Sequence, residues 1–223
     1  MNVVLTREPP RNEDIRTVLS LAVNVDEVPA TETQSLDPYA VAASCPVVPG
    51  TIVVTSSRAV NAAVALAAKF PSAVVAAVGR VTSDHLRTAG IAEVFTADDE
   101  GALGLRTLKL HDPVVSVGAR ETRPELATLC HELGLRHEHC VAYETHPRQL
   151  SGDEQAMLMR ADVVTVAAPS AWAVVGPFVR PTATVIVRGE TTASVVRLDH
   201  PTVLVAAGET ATVAAVLRAL FPA

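Results

Sequence analysis

Four short stretches hold most of the side chains in this chain that could do chemistry. Thr55, Ser56, Ser57 and Arg58 end one apolar run, and Ala168, Pro169 and Ser170 end another. Gly79 and Gly189 each close a further apolar run and carry a hydroxyl three residues on, Thr82 and Thr192. Each stretch precedes a helix-like pattern, and a helix start offers unpaired backbone N–H groups with partial positive charge. Roughly four such ends facing one cleft could hold a polyanion without many lysines. An acidic chain, net charge −6, could then bind an acidic ligand, because the local field matters more than the total.

Other catalytic patterns are missing. No GxGxxG, GxxxxGK[ST], GxSxG or HExxH occurs. The serines at 56 and 57 have no identifiable base, and N-capping a helix explains the hydroxyls of that turn more cheaply. His131, His137, His139 and Cys140 lie close together, with 137 and 139 on one face of an extended run. Their spacing fits no standard zinc site, so they are expected on a solvated surface. Trp172, early in a helical pattern, reads as a packing residue or part of a cleft wall.

The elements that must carry these residues repeat. Residues 52–91 and 163–198 each read as strand, polar turn, helix, strand, glycine and helix. A doubled unit of this kind suggests two similar α/β domains whose polar turns lie at the carboxyl ends of parallel strands, where open sheets bind ligands. Around the copies, strands are expected at 3–6, 92–96 and 114–117, and extended segments at 23–33 and 137–145. Helices are expected after an Asn12 N-cap, at 37–43, at 57–69, at 81–89 closed by Gly90, over 102–110, and at 122–133 closed by Gly134. The segments VPATET (28–33) and VAYET (141–145) resemble each other and read as two crossings between domains, at 28–35 and 141–148. The discontinuous domain then holds 1–33 and 149–223, and the inserted domain 36–140.

Composition sets the frame. Of 223 residues 49% are hydrophobic and only 3% aromatic, so the core must be built from Val, Ala and Leu. No stretch reaches 18 apolar residues, and MNVVLTREPP reads as a first strand rather than a signal peptide. Three cysteines without CxxC spacing suggest a reduced, cytoplasmic protein. No basic cluster supports nucleic-acid binding.

The stretches VLTREPP (4–10), VVTSSRAV (53–60), AAVGRVTSDHLRTAGI (76–91), GARETRPELATLCHELG (118–134), VAYET, APSAW (168–172) and RGETTASVV (188–196) together resemble the uroporphyrinogen-III synthase family, in the family's order. The resemblance implies two similar three-layer α/β domains with parallel sheets, joined by a two-stranded β-ladder with a flexible angle. It implies cyclisation of hydroxymethylbilane, a linear tetrapyrrole, with ring D inversion and loss of water through an azafulvene cation and a spiro-pyrrolenine. No metal or organic cofactor is implied. A monomer and a transient contact with hydroxymethylbilane synthase are.

Carried over by position, Tyr143 assists departure of the hydroxyl. Arg7, Ser56, Arg58, Thr82, Ser170, Thr191 and Thr192 bind carboxylates. Three positions depart from the family pattern: Ala168 replaces a serine, and Arg188 and Glu190 replace an apolar residue and a proline. They keep a second reading open, a non-catalytic tetrapyrrole- or anion-binding regulatory relative on the same fold. A third reading, a periplasmic-type binding protein, is opposed by the N-terminal stretch.

Overall fold

The computed structural model describes residues 1–9, 11–97, 101–207 and 209–221; Pro10, the last residue of the 4–10 stretch, lies outside them. The chain forms two compact units, Met1–Glu32 with His146–Ala223, and Thr33–Thr145.

In chain order the first elements are β1 (Asn2–Leu5), α1 (Glu13–Leu19), β2 (Asn24–Glu27) and β3 (Thr31–Ser35). Then come α2 (Pro38–Ala43), β4 (Thr51–Val54), α3 (Val60–Lys69), β5 (Val74–Ala77), α4 (Arg80–Thr88) and β6 (Phe95–Thr96). Next are β7 (Val114–Ala119), α5 (Glu125–Glu132), β8 (His137–Pro147) and α6 (Gly152–Arg160). The second copy of the repeat supplies β9 (Val163–Val166), α7 (Pro169–Val175), β10 (Thr184–Val187) and α8 (Glu190–Val196). Last are β11 (Val203–Val205) and α9 (Glu209–Leu220).

The continuous unit has a six-stranded sheet in the order β3-β8-β7-β4-β5-β6, with β4 parallel to β5 and β7, and β7 parallel to β8. Alternation along the strands splits the core into two faces. Ile52 and Val54 pack with α2, α3 and Leu86 of α4, whereas Val53 packs with Leu105 and with Leu126 and Leu129 of α5. The other unit has a five-stranded parallel sheet, β11-β10-β9-β1-β2. Val4, Val164 and Val187 face α6, α7 and α8; Val3, Leu5 and Ile186 face α1 and α9. Both sheets are covered on both sides, which is why β4 and β9 are valine-rich and buried along their whole length, Thr51 and Thr165 included. The alanines of α3 let that helix pack close to its sheet without aromatic bulk.

Start and stop signals explain most boundaries. Gly90 and Gly134 end α4 and α5 at φ +97° and +67°, each closing the helix with backbone N–H groups returned to the last turn. Asp37 caps α2 by accepting from Tyr39 N at 3.0 Å. Gly50 enters β4 where no side chain fits: a Cβ there would stand 2.5 Å from the Asp112 carbonyl oxygen and 2.7 Å from that of His111.

Several expectations need correction. Asn12 stands at the N-cap position of α1 but does not cap it; its amide is buried and donates to Arg7 O at 2.7 Å and Glu27 Oε1 at 3.1 Å. The segment 23–33 is two strands in two sheets, β2 and β3, separated by residues 28–30, where Val28 N and Ala30 N still bond Leu5 O and Thr6 O. The helix expected from 57 opens with a 3-10 turn, Ser57–Ala59, before α3. The stretch 102–110 forms a 3-10 helix over Ala102–Thr107, since Gly101 and Gly104 weaken an α-helix there. Pro124 delays α5 to Glu125 because the residue before a proline avoids helical geometry.

At α6 the Ser151 hydroxyl accepts from Glu154 N at 3.3 Å while Glu154 accepts from Ser151 N at 2.8 Å, and Arg148 donates to Glu154 at 3.0 Å. The Ser151 backbone N–H first, then Arg148, hold the Glu154 carboxyl below its usual value of 4.5. A depressed pKa contributes stability above the unfolded value, lost as pH falls through the folded one. Glu154→Gln should therefore melt lower than the parent at neutral pH and converge with it in acid, below the ordinary glutamate range. Parallel melting curves across that range would refute this.

Candidate active site

The continuous unit brings several singled-out residues to one place. β4 ends at Val54, and the next residue, Thr55, donates from both N and Oγ1 to Val117 O at 3.4 Å. Ser56 is extended, and its Oγ accepts from Arg58 N at 3.3 Å, so it caps the 3-10 turn as the cheaper reading of that turn expects. Arg58, carried on that turn, lies over the Tyr143 ring, 5.7 Å from its centroid.

Tyr143 owes its position to a bulge. Gly118 pairs with Val141 but Ala119 pairs with Tyr143, so β8 carries one extra residue at that step. Ala142 and Tyr143 consequently both join the core on the α3 side, which strict alternation forbids. Tyr143 as a whole is 7% exposed. What remains exposed lines a cavity of about 570 Å³, together with Thr55, Ser116, Thr122, Arg123 and His137. Glu121 and Glu125 also border it. A smaller hollow of about 260 Å³ lies along Gly79, Arg80 and Thr82, but Thr82 itself is only 6% exposed.

The histidine cluster is not where it was expected. Only His131 is exposed, on α5. His137 and His139 are partly buried and share one partner, the buried Ser116: its Oγ is 2.9 Å from His137 Nε2 and 2.8 Å from His139 Nδ1. His139 Nε2 lies 2.8 Å from Ala119 O. Burial first, then the neighbouring His139, pushes His137 below the ordinary imidazole value, against a smaller upward pull from Glu138. Cys140 faces the other side, in the α3-side core, where burial and the nearby Cys45 thiol push it up to about 12. A thiol so held is a poor metal ligand. Among the described residues no group of three or more His, Cys, Asp and Glu side chains is arranged to hold a metal ion.

In the discontinuous unit, Arg7 follows β1 and lines a narrow cleft with Thr165, Ala167, Arg188 and Thr212. Arg188, read from sequence as a departure, thus shares a surface with the predicted Arg7. Ser170 is exposed near the start of α7, and Thr191 is exposed on α8, whereas Thr192 is 4% exposed. Glu190 pairs with Arg197, so its charge is partly compensated within α8. Trp172 is a packing residue: it is buried, donates from Nε1 to Asp199 at 3.0 Å and meets His200 edge-on.

Sequence reasoning missed Ser116, Thr122, Arg123 and His137 as cavity residues. The signal was a lone hydroxyl inside the run VVSV, since a serine buried in a parallel strand needs partners. Chemically, the arrangement offers one phenol, the Arg123 guanidinium, hydroxyls and an imidazole held toward its neutral form around a partly apolar pocket, with Arg58 over the phenol ring.

A family model described as uroporphyrinogen-III synthase HemD matches residues 16–218. The fold is similar to that of uroporphyrinogen-III synthetase from Helicobacter pylori, with TM-score 0.68 and 18% identity over 97% of this chain and 98% of that one. It is also similar to a mutant uroporphyrinogen III synthase from Thermus thermophilus, with TM-score 0.59 and 17% identity over 99% and 98% of the two chains. A search of the curated proteins returns no match.

Proposed function

This chain belongs to the uroporphyrinogen-III synthase family, and from that membership we propose how its residues divide the work of the family's reaction. The enzyme is a cyclising hydro-lyase of tetrapyrrole biosynthesis that closes hydroxymethylbilane to uroporphyrinogen III with inversion of ring D and loss of water.

The substrate carries eight carboxylates and closes unaided to the type I isomer, so the enzyme must hold one folded geometry rather than supply unusual reactivity. Tyr143 is the group that hydrogen-bonds or protonates the departing hydroxyl. The observation that carries this assignment is Tyr143 in the wall of the 570 Å³ cavity, which Thr55 also lines, with Arg58 over its ring. Arg58 offers the forked donor suited to a carboxylate next to the reacting end. Ser56, Ser170 and Thr191 offer hydroxyls at turn or helix starts, and Arg7 offers a guanidinium at a strand end. Thr82 and Thr192 belong to the same carboxylate-binding set, although burial leaves them little surface to offer.

The domains 1–33 with 149–223 and 36–140, and the crossings at 28–35 and 141–148, are part of this reading; the division of the chain into two compact units supports it. So do the reduced cysteines for a cytoplasmic enzyme, and no described helix is long and apolar enough to cross a membrane. We assign it as a monomer supplied through a transient contact with hydroxymethylbilane synthase. The family match favours catalysis over the non-catalytic relative.

The test is an isomer assay. Hydroxymethylbilane is generated in situ with a deaminase, the protein is added, and the oxidised products are separated. Predominantly uroporphyrin III is expected. Only uroporphyrin I, from a folded sample, would overturn the assignment and leave a binding protein.

A further inference from the structure

The chain of Ser116, His137 and His139 has a direction that the heavy-atom positions fix. A carbonyl oxygen only accepts, so His139 Nε2, 2.8 Å from Ala119 O, carries a proton. With that ring uncharged, Nδ1 is a lone pair and accepts the Ser116 O–H across 2.8 Å. The 3.4 Å approach of Ser116 Oγ to Glu138 O is too long to compete. Ser116 has one proton and has given it away. Toward His137, 2.9 Å distant, its oxygen therefore accepts, and His137 Nε2 must be the protonated nitrogen. The remaining nitrogen of a neutral His137 is Nδ1, an acceptor, on a ring that lines the same cavity as Tyr143.

An uncharged acceptor in that pocket selects by chemistry. Carboxylates have no hydrogen to give it; the substrate's pyrrole N–H groups and its one hydroxymethyl O–H do, and only the N–H groups persist through the reaction and remain in the product. Arg123 and Arg58 are the donors near the cavity for carboxylates, so the two kinds of group sort the two kinds of substrate atom. Resting on the synthase reading above, we propose that His137 Nδ1 accepts a pyrrole N–H of the bound tetrapyrrole, with Ser116 and His139 as positioning residues that fix its tautomer. Burial of the ring, the larger influence, keeps it from taking a proton instead, against the upward pull of Glu138. Glu121, Arg123 and Glu125 are the other charged groups bordering the cavity. A purely structural network would satisfy Ser116 equally well but would not respond to ligand.

The experiment is nitrogen NMR on the full-length protein with labelled histidine, at about pH 8, above the ordinary imidazole range. Uroporphyrinogen III, kept reduced under anaerobic conditions, is the probe, since it presents pyrrole N–H groups and does not react. Both rings are expected in the Nε2–H form, and His137 Nδ1 alone should shift on titration without becoming protonated. His137 in the Nδ1–H form, or a ring unmoved by saturating ligand, overturns the proposal. In the isomer assay His137→Phe should raise KM on the order of fivefold, the worth of one neutral hydrogen bond, with kcat less affected. His137→Asn, which keeps an acceptor near the Nδ1 position, should recover part of the loss. Unchanged KM in His137→Phe sinks the proposal while leaving the synthase reading intact; a wild type that makes only the type I isomer sinks that reading instead.

Discussion

Tyr143→Phe is expected to slow type III formation by about a hundredfold or more, the usual range for losing a positioned proton donor, while the protein stays folded. Phenylalanine keeps the ring that packs beside Ala142 in the α3-side core, and it keeps a face for Arg58. Only the O–H is removed, so a stability loss cannot masquerade as a catalytic one. The substrate supplies its own clock: as the enzymatic rate falls, unaided closure takes over and the type I fraction rises. Thermal melting of the variant within a few degrees of the parent, with mainly type I product, is the expected pair of results. An unchanged rate of type III formation would remove Tyr143 from the mechanism.

Gly50→Ala is expected to lower stability by about 3 kcal/mol, at the upper end of what overpacking costs. The added methyl would stand 2.5 Å from one backbone carbonyl oxygen and 2.7 Å from the next, and carbonyls fixed at the start of β7 cannot turn aside as a side chain can. The same Gly50 N–H donates to Pro113 O at 2.8 Å, so moving β4 away breaks its first link to β7. For a chain of this size the melting temperature should fall by about 10 °C. Gly152→Ala, where a Cβ meets nothing within 4 Å, is the control and should change stability by no more than about 0.5 kcal/mol. Similar melting temperatures for the two variants would refute the steric argument.

How much of this was legible in the sequence follows from which forces are local. The repeated strand–turn–helix units were legible, because valine-rich runs and helical spacing report burial on both faces directly. Gly90 and Gly134 were legible for the same reason: a positive φ after a helix is a property of one residue. The 23–33 segment was legible only in part. Its likeness to 141–145 marks a crossing between domains, but nothing local says where β2 ends and β3 begins. Asn12 misled because its amide can bond a distant carboxylate, Glu27, as readily as its own helix. The site divides likewise. Ser56 and Arg58 lie on a turn that the pattern marks. The bulge that aims Tyr143 and the partner that holds two histidines are facts about β7 facing β8, and pairing across strands leaves little trace in either strand alone.

The strand order of the discontinuous unit also sets a timetable for synthesis. β1 lies between β2 and β9, and its pairing to β9 joins Val3 to Val163. On the ribosome β1 emerges first, gains β2 at once, and then keeps one edge open until β9 follows. At about 5–20 residues per second that wait is roughly 8–30 s. The unit spanning Thr33–Thr145 is meanwhile complete and can fold. An open valine edge is a hazard in a crowded cell, so nascent chains stalled between residues 145 and 163 are where chaperone capture should be greatest.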